Sequence, residues 1–309
     1  MNKKPFLANE SVWFTLLFTL LIFFGCFAVF FVLSLLLAVP LFNVPLKEVI
    51  SMTGDFNNPE NLSLIRYIQV VQSIGLFIIP PVICSFLISK KPFRFLQFEN
   101  KMSFLSIVFI GLTIIVSLPF INYLVLINEK MQLPAYLSNI ERWMKQSEEN
   151  AQHITELFLN TTTIRGLLFN IFMIGLLPAI GEEMTFRGVY QQLFIKAFKN
   201  HHIGIIITAF LFSAIHFQFY GFLARFVLGL YLGYLFVWTK NIWYPIVAHF
   251  INNSLAVVFY FLLQNGIINT NVDDIGVVNE TGYMVILSCI LLTVIIYTFK
   301  KFIPGQNFH

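Results

Sequence analysis

GLLFNIFMIGLLPAIGEEMTFRGVYQQLFIKAF, residues Gly166 to Phe198, is an apolar run interrupted by one knot of charge, Glu182, Glu183 and Arg187. As a helix rising about 1.5 Å per residue, it is longer than the roughly 20 residues that cross the hydrocarbon of a bilayer. A run of this length reads as a membrane span rather than as a strand or the helix of a soluble core.

The rest of the chain repeats the pattern. Further runs extend roughly from Trp13 to Phe42, Leu64 to Ser89, Met102 to Ile127, Ile203 to Phe217, Phe222 to Thr239, Ile242 to Leu263 and Tyr283 to Phe299. The expected fold is an all-α, polytopic transmembrane helix bundle of about eight spans. The fifth and sixth runs are short and joined only by Gln218 to Gly221, so they form a tight hairpin, and a count of seven stays open. No repeat, soluble domain or low-complexity tract stands out, so residues 1–309 read as a single membrane domain.

Composition agrees with this reading. Apolar residues make up 58% of the 309 positions and charged ones only 11%, more apolar surface than one soluble core needs. The net charge of +4 is small, so nothing points to a nucleic-acid partner; the partner in view is the lipid bilayer. Lys3 and Lys4, then Lys90, Lys91, Arg94 and Lys101, then Lys196 and Lys199, then Lys240, and finally Lys300 and Lys301 fall at alternate ends of the spans. Cytoplasmic loops carry the excess of Lys and Arg, so both termini are expected in the cytoplasm, with the chain in the plasma (inner) membrane. The opposite loops carry Asp55 and Glu60, then a mixed stretch from Glu129 to Arg165, then Asp273, Asp274 and Glu280, none of them enriched in Lys or Arg. The first run lacks a small-x-small cleavage site and reads as an uncleaved span. Cys26, Cys84 and Cys289 lie in apolar runs, where a thiol behaves as a small hydrophobe.

One stretch differs from all others. From Ala135 to Leu159, Ile140, Trp143, Met144 and Leu157 are interleaved with Glu141, Arg142, Lys145, Glu148 and Glu149, the pattern of an interfacial helix outside the membrane. A lid and a plain connector fit it equally.

Charged groups inside apolar spans cost several kcal/mol each, so every one needs a partner, a cavity or a function. Besides Glu182, Glu183 and Arg187, the buried polar set comprises His216, Arg225, His249 and Asn253. Glu183 and Arg187 are four apart and share a helix face, so they can pair. Glu182 is turned by about 100 degrees from its neighbour and is free to face another surface as a general base. His249 and Asn253 are again four apart and present an imidazole and an amide side by side, donors fit for an oxyanion. One buried His, or one Glu–Arg pair, is ordinarily helix-packing glue. A carboxylate, two imidazoles and an amide spread over three spans are harder to explain as packing.

These residues resemble the CAAX protease and bacteriocin-processing (CPBP) family, which includes the type II CAAX prenyl endopeptidases. Three motifs carry the resemblance: Glu-Glu-x-x-x-Arg at Glu182, Glu183 and Arg187; Phe-x-x-x-His at Phe212 and His216; and His-x-x-x-Asn at His249 and Asn253. It covers about Gly166 to Leu263, a catalytic core whose site lies between the fourth, fifth and seventh spans. The resemblance implies an intramembrane glutamic endopeptidase without a cofactor or metal, in which Glu182 and His216 activate water. His249 and Asn253 then stabilise the oxyanion, and Glu183 with Arg187 supports the site. The implied substrate is a membrane-associated peptide or protein, with its prenylation left open. Gly229 and Gly233 add a small-xxx-small face for close helix approach.

Other classes stay in view. Two His and a Glu also make an ordinary zinc set, although no His-Glu-x-x-His signature is present. A non-catalytic bacteriocin-immunity or regulatory membrane protein would use the same cluster to bind a peptide. Buried carboxylates and imidazoles also make proton relays in transporters, but the polar motifs are not repeated.

Overall fold

The computed structural model describes residues 4–55, 58–98, 101–131, 133–269, 274–277 and 282–302, and these contain helices and no strand. Lys3, Asp273 and Glu280 lie outside the described residues. The protein is an all-α polytopic bundle. In chain order its helices are α1 (Val12–Phe42), α2 (Leu46–Gly54), α3 (Leu62–Ile88), α4 (Pro92–Phe95), α5 (Phe104–Glu129), α6 (Ser138–Leu159) and α7 (Ile164–Phe198), followed by α8 (His201–Ala214), α9 (Phe222–Thr239), α10 (Trp243–Gln264) and α11 (Tyr283–Phe302).

Seven of these, α1, α3, α5, α7, α9, α10 and α11, are long and apolar enough to cross a membrane. The fifth expected span is the exception. As α8 it has only 14 residues, about 21 Å of helix, and it stops before His216 instead of running to Phe217. Local chemistry sets both its ends. The Asn200 side chain accepts from the His202 and Ile203 N–H groups at the start. At the other end Phe217 adopts a left-handed φ of 52°, and Ser213 Oγ donates to the Phe222 carbonyl at 2.7 Å, turning the chain back into α9.

Side chains cap the long helices in the same way. Ser11, Ser103 and Thr163 accept from the third N–H beyond them at the starts of α1, α5 and α7. Left-handed Asn43, Lys199 and Lys240 end α1, α7 and α9.

The core is made of separate buried clusters between the helices, one of them Ala38, Val49 and Leu64 of α1, α2 and α3. Phe23 of α1, Cys84 of α3, Met184 and Val189 of α7, Phe236 of α9 and Ile246 of α10 form another. Ile110 of α5, Leu232 of α9, Tyr244 of α10 and Phe299 of α11 form a third. Outside these clusters the same residue types lie bare, as with Leu21, Phe24 and Ile286. That is the exposure expected of helices whose solvent is lipid.

Two of the long helices widen where proline interrupts them. π-Helical stretches at Ile74–Ile78 and Ile171–Leu176 run just ahead of Pro80, Pro81 and Pro178. A third, Phe186–Gln191, follows the two glutamates. Proline has no N–H for the carbonyl four residues back, and such bulges recur at functional sites. All three stretches border the buried polar residues.

Candidate active site

Glu183 and Arg187 sit in the middle of α7 with no exposed surface, and Arg187 Nη1 meets Glu183 Oε1 at 2.7 Å. The i,i+4 pair expected from spacing is present, but it is not a closed pair. The same Oε1 lies 2.9 Å from His249 Nδ1 on α10, so one carboxylate oxygen holds a guanidinium and an imidazole. Because that oxygen already accepts from Arg187, Nδ1 is the donor, and the ring orientation is fixed with Nε2 left over.

Arg187 reaches further still. Its Nη2 donates to the Gly229 carbonyl on α9 at 2.9 Å, and its guanidinium lies 4.8 Å from the centre of the Phe212 ring on α8. Gln191, one turn on, repeats the move with a 3.0 Å bond to the Gly233 carbonyl. Glycine is needed at both rungs. A Cβ on Gly229 would stand 3.1 Å from the Ala209 backbone, and one on Gly233 would stand 2.8 Å from Ile205.

Phe212 joins the separate motifs. Its ring is 5.3 Å from His216, 5.6 Å from His249 and 5.4 Å from Phe186, in edge-on contacts. His216 follows in the turn after α8, with Nδ1 2.7 Å from the Phe212 carbonyl. A carbonyl only accepts, so Nδ1 carries the proton and Nε2 is the free position.

Glu182 contrasts with its neighbour. It is 8% exposed and makes no hydrogen bond or ion pair among the described residues; Oε2 of each glutamate is buried without a partner, so the difference between the two lies at Oε1. His216 is within electrostatic reach of Glu182, His249 and Arg225. On α10, Asn253 Nδ2 donates to the Ile174 carbonyl at 3.2 Å, and its Oδ1 accepts from Asn252 Nδ2 at 3.1 Å. Ile174 is the residue whose carbonyl Pro178 cannot serve. Thr185 uses the equivalent gap on α3, donating to the Phe77 carbonyl four residues before Pro81 at 3.2 Å.

Of the six site residues expected from sequence, Glu183, Arg187 and His249 are bonded together and His216 joins them across the Phe212 ring, while Asn253 bonds to the α7 backbone and Glu182 lies beside Glu183 on α7. The backbone of α9, expected from Gly229 and Gly233 only to allow close approach, contributes two carbonyl acceptors as well. Spacing gave no sign of the second bond of Glu183, the carbonyl partners of Arg187 and Asn253, or the role of Arg225. That arginine is bonded to Gln218, at 3.0 Å to its side chain and also to its carbonyl, and so holds the loop beyond His216. Among the described residues no three His, Cys, Asp or Glu side chains are grouped to hold a metal ion, and the three cysteines are free.

Residues 164–255 match the family model described as type II CAAX prenyl endopeptidase Rce1-like. These residues are a CPBP-family domain. The CPBP segment starts with the first residue of α7 and ends two residues beyond Asn253, so it contains all the motif residues.

Over 90 residues, 28% of this chain and 43% of the relative, the protein is 35% identical to the uncharacterized protein YpbD of Bacillus subtilis (strain 168). Over 97 residues, 30% of this chain and 39% of the relative, it is 29% identical to the membrane-embedded CAAX protease MroQ of Staphylococcus aureus (strain USA300). The match thus spans less than half the length of either curated relative. No solved structure matches the chain. With its CPBP domain and seven apolar helices, the protein is an integral membrane protein.

Proposed function

We propose that the protein is an intramembrane endopeptidase that hydrolyses peptide bonds of membrane-associated peptides with water activated by Glu182. One observation carries this reading: of two adjacent buried carboxylates, Glu183 is committed through Oε1 to Arg187 and His249, while Glu182 makes no hydrogen bond or ion pair among the described residues. A carboxylate so placed in low dielectric is suited to take a proton from water.

The chemistry divides among the chain's own residues. Glu182 removes a proton from water as its oxygen attacks the peptide carbonyl carbon. His216, with Nε2 free, shares the proton and delivers it to the amine nitrogen when the C–N bond breaks. Negative charge on the carbonyl oxygen meets the second Nδ2 hydrogen of Asn253 and Nε2 of His249. Since Nδ1 of His249 donates to Glu183, Nε2 meets the oxyanion as a donor only from the imidazolium. Glu183, Arg187 and Gly229 position His249; they do not touch substrate.

The catalytic core in this reading is 166–263, and the substrate class is a membrane-associated peptide or protein. Both termini face the cytoplasm. The α8–α9 hairpin leaves and returns on one side, so the parity of crossings is the same whether or not α8 reaches the far surface.

The test compares Glu182→Gln with Glu183→Gln in full-length protein, using cleavage of a membrane peptide and thermal unfolding in detergent. Glu182→Gln should abolish cleavage and leave stability intact, whereas Glu183→Gln should lower stability. Normal turnover by Glu182→Gln would refute the assignment. Loss of cleavage only through unfolding would make Glu182 a structural group and would equally refute the assignment.

A further inference from the structure

Hydrolysis needs a peptide and water beside Glu182, yet Glu182 is 8% exposed and His249 3%. Some element has to move, and its position can be read from the way α6 is attached. Its C-terminal end is anchored. The buried Phe158 carbonyl accepts from Arg66 Nη2 of α3 at 2.7 Å and from Asn170 Nδ2 of α7 at 2.8 Å.

The other attachment is to the loop that carries His216. The Trp143 and Phe219 rings are 5.2 Å apart, Ser147 Oγ donates to the Phe217 carbonyl at 3.0 Å, and Glu148 Oε2 accepts from the Tyr220 N–H at 3.0 Å. All three contacts fall within the five residues that follow His216. Arg225 holds the same loop from α9 through Gln218, so the loop remains fixed when α6 lifts.

Between these attachments α6 has little to lose. Phe158 is the one buried residue in its 22, so opening exposes little apolar surface. Beneath the latch is a cavity of about 430 Å³ lined by charge, including Glu129, Glu141, Lys145 and Glu148, so few apolar contacts bind the helix there.

We propose that α6 is a lid, hinged at Phe158 and latched to the loop after His216 by Trp143, Ser147 and Glu148, that swings away to admit a peptide and water to Glu182. The lid is of use only to a site that takes in a substrate, so it rests on the peptidase reading.

The experiment locks the latch. In a full-length chain with Cys26, Cys84 and Cys289 replaced by Ala, Trp143→Cys and Phe219→Cys are joined by a short reducible bis-methanethiosulfonate bridge. Carbethoxylation of the buried His249 by diethyl pyrocarbonate is followed by peptide mass spectrometry, alongside cleavage of a membrane peptide. Bridging should slow modification about tenfold or more, since local opening no longer exposes the imidazole, and should stop cleavage. Reductant should restore both. Equal modification rates in bridged and reduced protein would overturn the lid, whatever cleavage does. Slowed modification with no cleavage in either state would leave the lid standing and count against the peptidase alone. If the double variant does not fold, Trp143→Ala takes its place. It should speed modification of His249, and an unchanged rate overturns the lid.

Discussion

His249 Nδ1 and Arg187 Nη1 share one oxygen of Glu183, at 2.9 and 2.7 Å. A pair bonded only to itself would survive reversal of its charges. This one has a third member, so Glu183→Arg combined with Arg187→Glu should not recover the stability lost in either single variant. An arginine at 183 would face an imidazole, and a glutamate at 187 would face the Gly229 carbonyl. Each single change leaves a buried charge uncompensated, a loss of about 3–5 kcal/mol. Thermal or denaturant unfolding in detergent decides the matter, and recovery in the double variant would mean that His249 is not held by Glu183.

Gly229→Ala tests the close approach of α8 and α9. Its new methyl would stand 3.1 Å from Ala209 and 3.3 Å from the Phe212 ring. Overpacking of this kind costs about 1–3 kcal/mol, and the shift would also stretch the Arg187 bond to the Gly229 carbonyl. Melting temperature should fall, while Gly25→Ala, which meets nothing within 4 Å, should leave it unchanged.

Pro178→Ala separates stability from turnover. Alanine restores the N–H that an ordinary helix gives to the Ile174 carbonyl, and that N–H competes with Asn253 Nδ2. The melting temperature should hold or rise. Cleavage should fall by about tenfold to a hundredfold, toward the loss seen when an oxyanion donor is removed, and the fall should appear in kcat more than in KM.

Metal content offers an independent check on the assignment of water activation to Glu182. Purified active protein should contain less than one equivalent of zinc per chain and should keep its turnover after chelation and dialysis. Stoichiometric zinc, with activity lost to chelator and regained on adding the metal, would replace the proposed chemistry with a metal-assisted one.

Topology can be tested with reporters fused at either end. Both should report cytoplasm, because Lys and Arg clusters alternate along the chain and the α8–α9 hairpin returns to its own side. A reporter placed after Phe302 that reads as external would show that the hairpin does not return.

The long helices were legible because a bilayer demands uninterrupted apolar runs, and sequence records these directly. The i,i+4 spacings of Glu183 with Arg187 and of His249 with Asn253 gave the correct shared faces for the same reason: helix geometry is local. The end of α8 was not legible, since apolar Ile215 and Phe217 continue the run while the left-handed turn and the Ser213 bond stop it. Backbone acceptors were hidden too. A sequence does not say which carbonyl of another helix an Asn or Arg will meet, although Pro81 and Pro178 marked where two carbonyls would lack their usual donors.

The rungs from Arg187 to Gly229 and from Gln191 to Gly233 advance by four residues on both α7 and α9 at once. One residue inserted between Arg187 and Gln191 would turn the second amide away from the Gly233 carbonyl while the first rung stayed in place. The length of chain within 187–191 and within 229–233 is therefore as fixed as the identity of the residues at their ends.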